Sequence, residues 1–154
     1  MTTDKIAYTA MRCAALLAEV GRLEGEPVDR SGEGRLVEVY PDAAIREWGL
    51  WPREWDEQRV GYKGTQKAAR ARREQMVDSL LETTASWLIL DSDLEACCRQ
   101  GDDDLDALVS ALVGRAVAQG HTASVGAVAR ARREGWIHLP LPGSLAALGE
   151  TASG

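Results

Sequence analysis

Apolar residues recur at helical spacing in three stretches of the chain and cluster at strand spacing in two short ones. Leu105, Leu108, Val109, Leu112, Val113 and Ala116 define one face of a helix running from about Asp103 to Gln119 and stopped by Gly120. Ile6, Ala10, Cys13, Ala14 and Leu17 trace a comparable stripe through residues 4–24, with Thr3 or Asp4 placed to cap it. A third helix is expected from about Thr65 to Leu81. Residues 35–40 read as a short strand stopped by Pro41, and residues 135–140 as a second. Between the first strand and the third helix, Asp42 is positioned to cap a short helix through Trp48, followed by a tryptophan-rich excursion at Trp48, Trp51 and Trp55. Residues 21–34 suggest a turn or short hairpin, and residues 86–98 fit a strand or a helix equally well. The mixture points to a helix-rich α/β chain, with one domain over residues 1–142 and a flexible tail over 143–154.

Composition narrows the class. A chain of 154 residues with 45% hydrophobic content suits one compact domain. A net charge of −6 and a sequence pI near 5.0 argue against non-specific nucleic-acid binding by the molecule as a whole. Cys13, Cys97 and Cys98 show no CxxC spacing, so neither a zinc site nor a secreted disulfide framework is supported. No signal-like start and no apolar run of membrane length is present, so a cytoplasmic protein without a membrane partner is expected.

Charge is unevenly spread. From Arg59 to Arg73 there are six basic residues and no acid, and Lys63, Lys67 and Arg70 fall along one side of the expected third helix. Such a stripe suits a phosphate backbone, although a solvated helix face is the commoner explanation, with Glu74, Asp78 and Glu82 just downstream. The hexamer Ala-Arg-Ala-Arg-Arg-Glu occurs at 69–74 and again at 129–134, but the flanking residues do not align and no internal repeat follows. Asp102, Asp103, Asp104 and Asp106 crowd the head of the helix beginning near Asp103. Acids in a first helical turn offset the helix dipole, but Asp106 lies one turn inside, at the edge of the apolar stripe. A carboxylate there is costly unless paired or bound to metal. Glu38 raises the same question, as the lone acid in the middle of an apolar strand. Pairing with an arginine is one answer. The other is convergence with Asp103 and Asp106 at one end of a sheet, where such carboxylates hold two divalent cations roughly 4 Å apart. All-oxygen ligands suit Mg²⁺ or Mn²⁺.

Four motifs in order carry a resemblance: Val37-Glu38-Val39-Tyr40-Pro41, Gly61-Tyr62-Lys63-Gly64, the stretch from Asp103 to Leu112, and Glu134-Gly135-Trp136-Ile137-His138-Leu139-Pro140. Together they resemble the domain of unknown function 429 family, regarded as a predicted nuclease of ribonuclease H-like fold. The strand glutamate and the Asp-x-x-Asp at a helix start are also similar to Holliday-junction resolvases of that fold. The resemblance implies that Glu38, Asp103 and Asp106 match the second, third and fourth acidic ligands of a Mg²⁺- or Mn²⁺-dependent site that hydrolyses phosphodiesters. It covers only the C-terminal part of the fold. The three-stranded N-terminal meander, whose first strand carries the first catalytic aspartate, has no counterpart here. An incomplete ribonuclease H-like fold is therefore expected, with little nuclease activity from this chain alone. Apolar surface left uncovered would invite homo-oligomers. Two classes stay open: the C-terminal part of a metal-dependent nuclease, or a non-catalytic module of that fold that binds nucleic acid or another protein.

Overall fold

A computed structural model describes residues 3–56 and 61–150. Its elements in chain order are α1 (Thr3–Glu24), β1 (Glu38–Val39), α2 (Pro41–Glu47), α3 (Lys67–Thr84), α4 (Ser92–Gln100), α5 (Asp102–Ala118), α6 (Val128–Glu134) and β2 (Ile137–His138). Single 3-10 turns lie at Arg53–Trp55 and Ala146–Gly149. The two short strands form a two-stranded parallel sheet, so the chain is α/β and dominated by helix. Among the described residues no helix is long and apolar enough to cross a membrane.

The chain divides into two compact units: Met1–Glu38 with Val125–Trp136, and Val39–Ser124 with Ile137–Gly154. In the first, α1 is followed by a turn-rich segment, so of the turn or short hairpin that residues 21–34 suggest it is the turn that forms. Gly21 is buried there because the chain doubles back on it: a Cβ would lie 2.9 Å from the Glu26 carbonyl oxygen. The Asp29 carboxylate accepts the Ser31 amide at 2.7 Å, an Asx turn that buries Ser31. Much of α1 is exposed, including Tyr8, Met11, Leu16 and Leu23.

The second unit holds the main core. The apolar stripe of α5, namely Leu105, Val109, Leu112, Val113 and Ala116, is buried as its period requires. Met76, Val77 and Leu80 of α3, Ile45 of α2, Cys98 of α4 and Leu145 and Leu148 near the C-terminus join it. Trp48 and Trp51 close one side. Trp48 Nε1 donates to Ser144 Oγ at 3.0 Å, and Trp51 stands edge-on to Trp55 with ring centroids 5.0 Å apart. The segment at 86–98 that fits either element resolves as turn and irregular chain up to Asp91 and as helix from Ser92. Asp91 accepts the Asp93 and Leu94 amides and so caps α4.

Both expected strands shrink to two residues. The apolar run around Glu38 lacks the neighbours that would bury it on both faces, and Leu36 and Tyr40 at its ends are exposed.

Candidate functional site at the head of helix α5

Helix α5 opens at Gly101, whose extended backbone forms the N-cap without a side-chain bond. Asp102, Asp103 and Asp104 fill the first turn, where carboxylates complement the positive end of the helix dipole. Asp104 folds back over Gly101, so that a Cβ at that position would meet its carboxylate. Asp103 is exposed. Asp106, one turn further in, retains only 19% of its side-chain exposure and is fully engaged. Its Oδ1 accepts the Tyr62 hydroxyl at 2.7 Å, and its Oδ2 receives Lys63 Nζ at 2.7 Å. The costly carboxylate at the edge of the stripe is thus paired, by two adjacent residues of the Gly61-Tyr62-Lys63-Gly64 motif.

That loop is brought to α5 by Arg73. The side chain of Arg73 is buried in the second unit, where its Nη1 donates to the carbonyls of Tyr62 and Gly64. Its Nη2 donates to the Gln100 carbonyl at 2.7 Å and its Nε to that of Arg99 at 3.4 Å. One guanidinium therefore ties the Lys63 loop to the junction between α4 and α5, and satisfies carbonyls that regular structure leaves open.

Electrostatics follow from the geometry. Burial, reinforced by the hydrogen bond to Asp106 and by its charge, pushes the Tyr62 hydroxyl far above the usual phenol range, so Tyr62 acts as a donor and not as a base. Burial alone would lower the Lys63 ammonium. The bond to Asp106 and the negative charges of Asp106, Asp102 and Asp42 outweigh it, and the pKa is raised.

The basic residues named from sequence are distributed over two elements. Lys67 and Arg70 belong to the first turn of α3, whereas Lys63 lies in the preceding loop and its ammonium sits on Asp106. Arg59 lies outside the described residues. The start of α3 carries no acid in its first turn and no side-chain cap, and Lys67 and Arg70 are exposed there at the positive end of the helix dipole. Arg70 bridges to Glu74 one turn on, at 3.0 Å, on an exposed surface.

Glu38 belongs to the first unit and Asp103 and Asp106 to the second. The Glu38 carboxylate is held by Arg30, whose Nε and Nη2 each lie 2.6 Å from Oε1. Gly135 makes room for this pair. Its φ of +85° suits glycine, and a Cβ there would lie 2.8 Å from both Glu38 carboxylate oxygens and 2.7 Å from Arg30 Nη2. Pairing with arginine is therefore the arrangement seen at Glu38.

A metal needs free carboxylate oxygens that converge. Asp106 spends both oxygens on Tyr62 and Lys63, and Glu38 faces a guanidinium. Among the described residues no three His, Cys, Asp or Glu side chains gather to hold an ion. Asp106 as arranged leaves neither oxygen free for a metal ion.

Arg73 and Arg30 are the functional neighbours that sequence reasoning passes over. A signal for Arg73 was available, because Ala69, Arg73, Val77, Leu80 and Thr84 fall on one buried stripe of α3.

Neither the curated proteins nor the solved structures include a significant match to this chain. A family model described as "Protein of unknown function (DUF429)" matches residues 2–131. That match spans most of the chain, including the Tyr62-Lys63 loop and all of α5, and the protein belongs to the DUF429 family.

Proposed function

We propose that this chain is a non-catalytic nucleic-acid-binding module built on a ribonuclease H-like nuclease scaffold. The observation that carries this reading is the occupation of both Asp106 oxygens by Tyr62 and Lys63. The carboxylate that the resemblance assigns to metal instead fixes a loop, and that loop leads directly into the uncapped, acid-free start of α3. There the dipole end, Lys67 and Arg70 suit a phosphate, with Lys63 flanking. The test is fluorescence anisotropy with single- and double-stranded DNA and RNA oligonucleotides, alongside a cleavage assay in Mg²⁺ and in Mn²⁺. Binding that the joint replacement of Lys63, Lys67 and Arg70 by alanine weakens, without metal-dependent cleavage, supports the reading. Equal binding by the parent and the triple variant refutes it.

The second reading is a metal-dependent nuclease to which this chain contributes Glu38, Asp103 and Asp106. Its support is the exposed Asp103 one turn before Asp106 on α5. Robust Mn²⁺-dependent cleavage by the chain, abolished by Glu38→Gln, would favour it over the first.

A further inference from the structure

Three aromatic rings stand in a row that ends on Asp106. Trp55 is edge-on to Trp51 with ring centroids 5.0 Å apart, and Trp51 is tilted against Tyr62 at 6.3 Å. Both separations are those of interacting rings. The row runs inward: Trp55 is partly buried, Trp51 keeps 7% of its surface and Tyr62 only 1%. All three rings and Asp106 belong to the second unit.

The charges placed on each ring give the row a direction. Arg46 lies over Trp51 at 4.8 Å and Arg72 at 5.4 Å, and Trp51 Nε1 donates to Asp56 at 2.8 Å. Arg46 also donates to that carboxylate at 2.6 Å, and with Trp51 it holds the Asp56 pKa below the ordinary value. Loss of an electron would make Trp51 a radical cation. The guanidinium groups disfavour its charge, and Asp56 is too weak a base to relieve it by taking the indole proton. An oxidised Trp51 therefore passes the vacancy on. Tyr62 is equipped to keep it. Its hydroxyl donates to Asp106 Oδ1 at 2.7 Å, and the Lys63 ammonium lies 5.5 Å from its ring centre. Burial and the ammonium both oppose a positive ring. A phenol that has lost an electron, however, is a far stronger acid than any carboxylic acid, so its proton moves to Asp106 and a neutral radical remains.

We propose that Trp55, Trp51 and Tyr62 form a relay that carries a one-electron oxidation from a solvent-borne oxidant, a metal(III) complex or an inorganic radical, to Tyr62. The oxidant gains one electron, which leaves Tyr62 by way of Trp51 and Trp55. The Tyr62 O–H bond breaks, its proton goes to Asp106, and no other covalent bond changes. A one-electron reductant reverses the step, with the proton returning from Asp106. The reading is independent of nucleic-acid binding, since it uses neither Lys67 nor Arg70.

Tyr8 and Tyr40 are exposed and would be oxidised directly, so the test is run in a Tyr8→Phe/Tyr40→Phe background, where Tyr62 is the sole tyrosine. Photogenerated tris(bipyridine)ruthenium(III) serves as the oxidant, followed by transient absorption and by electron paramagnetic resonance after freeze-quenching. A tryptophanyl signal should convert into a tyrosyl signal, more slowly in heavy water. Trp51→Phe should keep the tryptophanyl signal and lose the tyrosyl one, with circular dichroism to check that this core variant folds. Trp55→Phe, at the outer end of the row, should cut the tyrosyl yield and decides the matter where Trp51→Phe does not fold. Asp106→Asn removes the proton acceptor and should leave the vacancy on tryptophan. The proposal is overturned by an absent tyrosyl signal in the single-tyrosine chain, by full tyrosyl yield in a folded Trp51→Phe or Trp55→Phe variant, or by unchanged conversion in Asp106→Asn.

Discussion

Tyr62 and Lys63, adjacent in the chain, take the two oxygens of one carboxylate: the Tyr62 hydroxyl and the Lys63 ammonium each lie 2.7 Å from Asp106. Repulsion among clustered acids would make removal of the Asp106 charge stabilising. The pairing reverses that expectation. Asp106→Asn should destabilise the chain by about 1–2 kcal/mol, discounted for the half-exposed ammonium, as read from urea midpoints. A stabilised variant would show that repulsion, not pairing, dominates at the head of α5.

The same pairing fixes a pH dependence. Tyr62 and Lys63 both have folded-state pKa values raised above their ordinary ones. Each contribution is complete while the group stays protonated in the unfolded chain as well, and is lost as pH rises beyond that point. Stability should therefore hold through neutral pH and fall above roughly pH 10. Tyr62→Phe should flatten the alkaline decline, which melts between roughly pH 8 and pH 11 would reveal. An equally steep decline in that variant would place the titrating group elsewhere.

Arg73 should be among the costliest positions to change. Arg73→Met keeps the aliphatic stem but orphans carbonyls of Tyr62, Gly64, Arg99 and Gln100. A loss of about 3–5 kcal/mol is expected from denaturant unfolding. Arg73→Lys should recover only part of it, since an ammonium cannot reproduce the planar fork.

Two glycines of the first unit separate backbone preference from crowding. Gly25 and Gly135 have φ of +80° and +85°, but a Cβ meets nothing within 4 Å at Gly25 and the Arg30–Glu38 pair at Gly135. Gly25→Ala should cost about 1 kcal/mol, and Gly135→Ala clearly more. Equal losses in thermal melts would mean that the ion pair yields freely.

Salt dependence assigns the basic residues individually. Every phosphate that the protein no longer neutralises should lower the slope of log affinity against log salt by roughly 0.7–0.9. Replacing Lys67 and Arg70 together should lower it by close to twice that amount. Lys63→Ala should change the slope least, because its ammonium is held by the largely covered Asp106, whereas the Arg70–Glu74 pair is exposed on both sides and readily exchanged. Equal changes in slope at all three positions, measured by anisotropy titrations across a salt series, would show that Lys63 leaves Asp106 to reach the phosphate.

The helices were legible wherever an apolar period ran long enough. Helix α5 begins and ends within about one residue of where its period places it, and α3 is displaced by two to three. Helix α6 was not foreseen: its arginine-rich run contains only Val128, Ala129 and Ala131 as apolar residues. The strands were over-read because a local pattern cannot report how many partners a strand finds. At the site, the need for Asp106 to be paired followed from its place on the helix. The identity of its partners did not, since they lie more than forty residues away in the chain. Arg73 was hidden by its company: one arginine among Arg70, Arg72 and Arg73 reads as solvated, although it reaches back to the Lys63 loop.

The Arg73 tie makes the exposed end of the site mechanically continuous with the core. A pull on Lys63 passes through the carbonyls on either side of it into one guanidinium, and from there into the helix that carries Met76, Val77 and Leu80. A partner that grips this loop therefore takes hold of α3 itself. Force or binding free energy applied at the surface is delivered to the packed interior, with no slack segment between to absorb it.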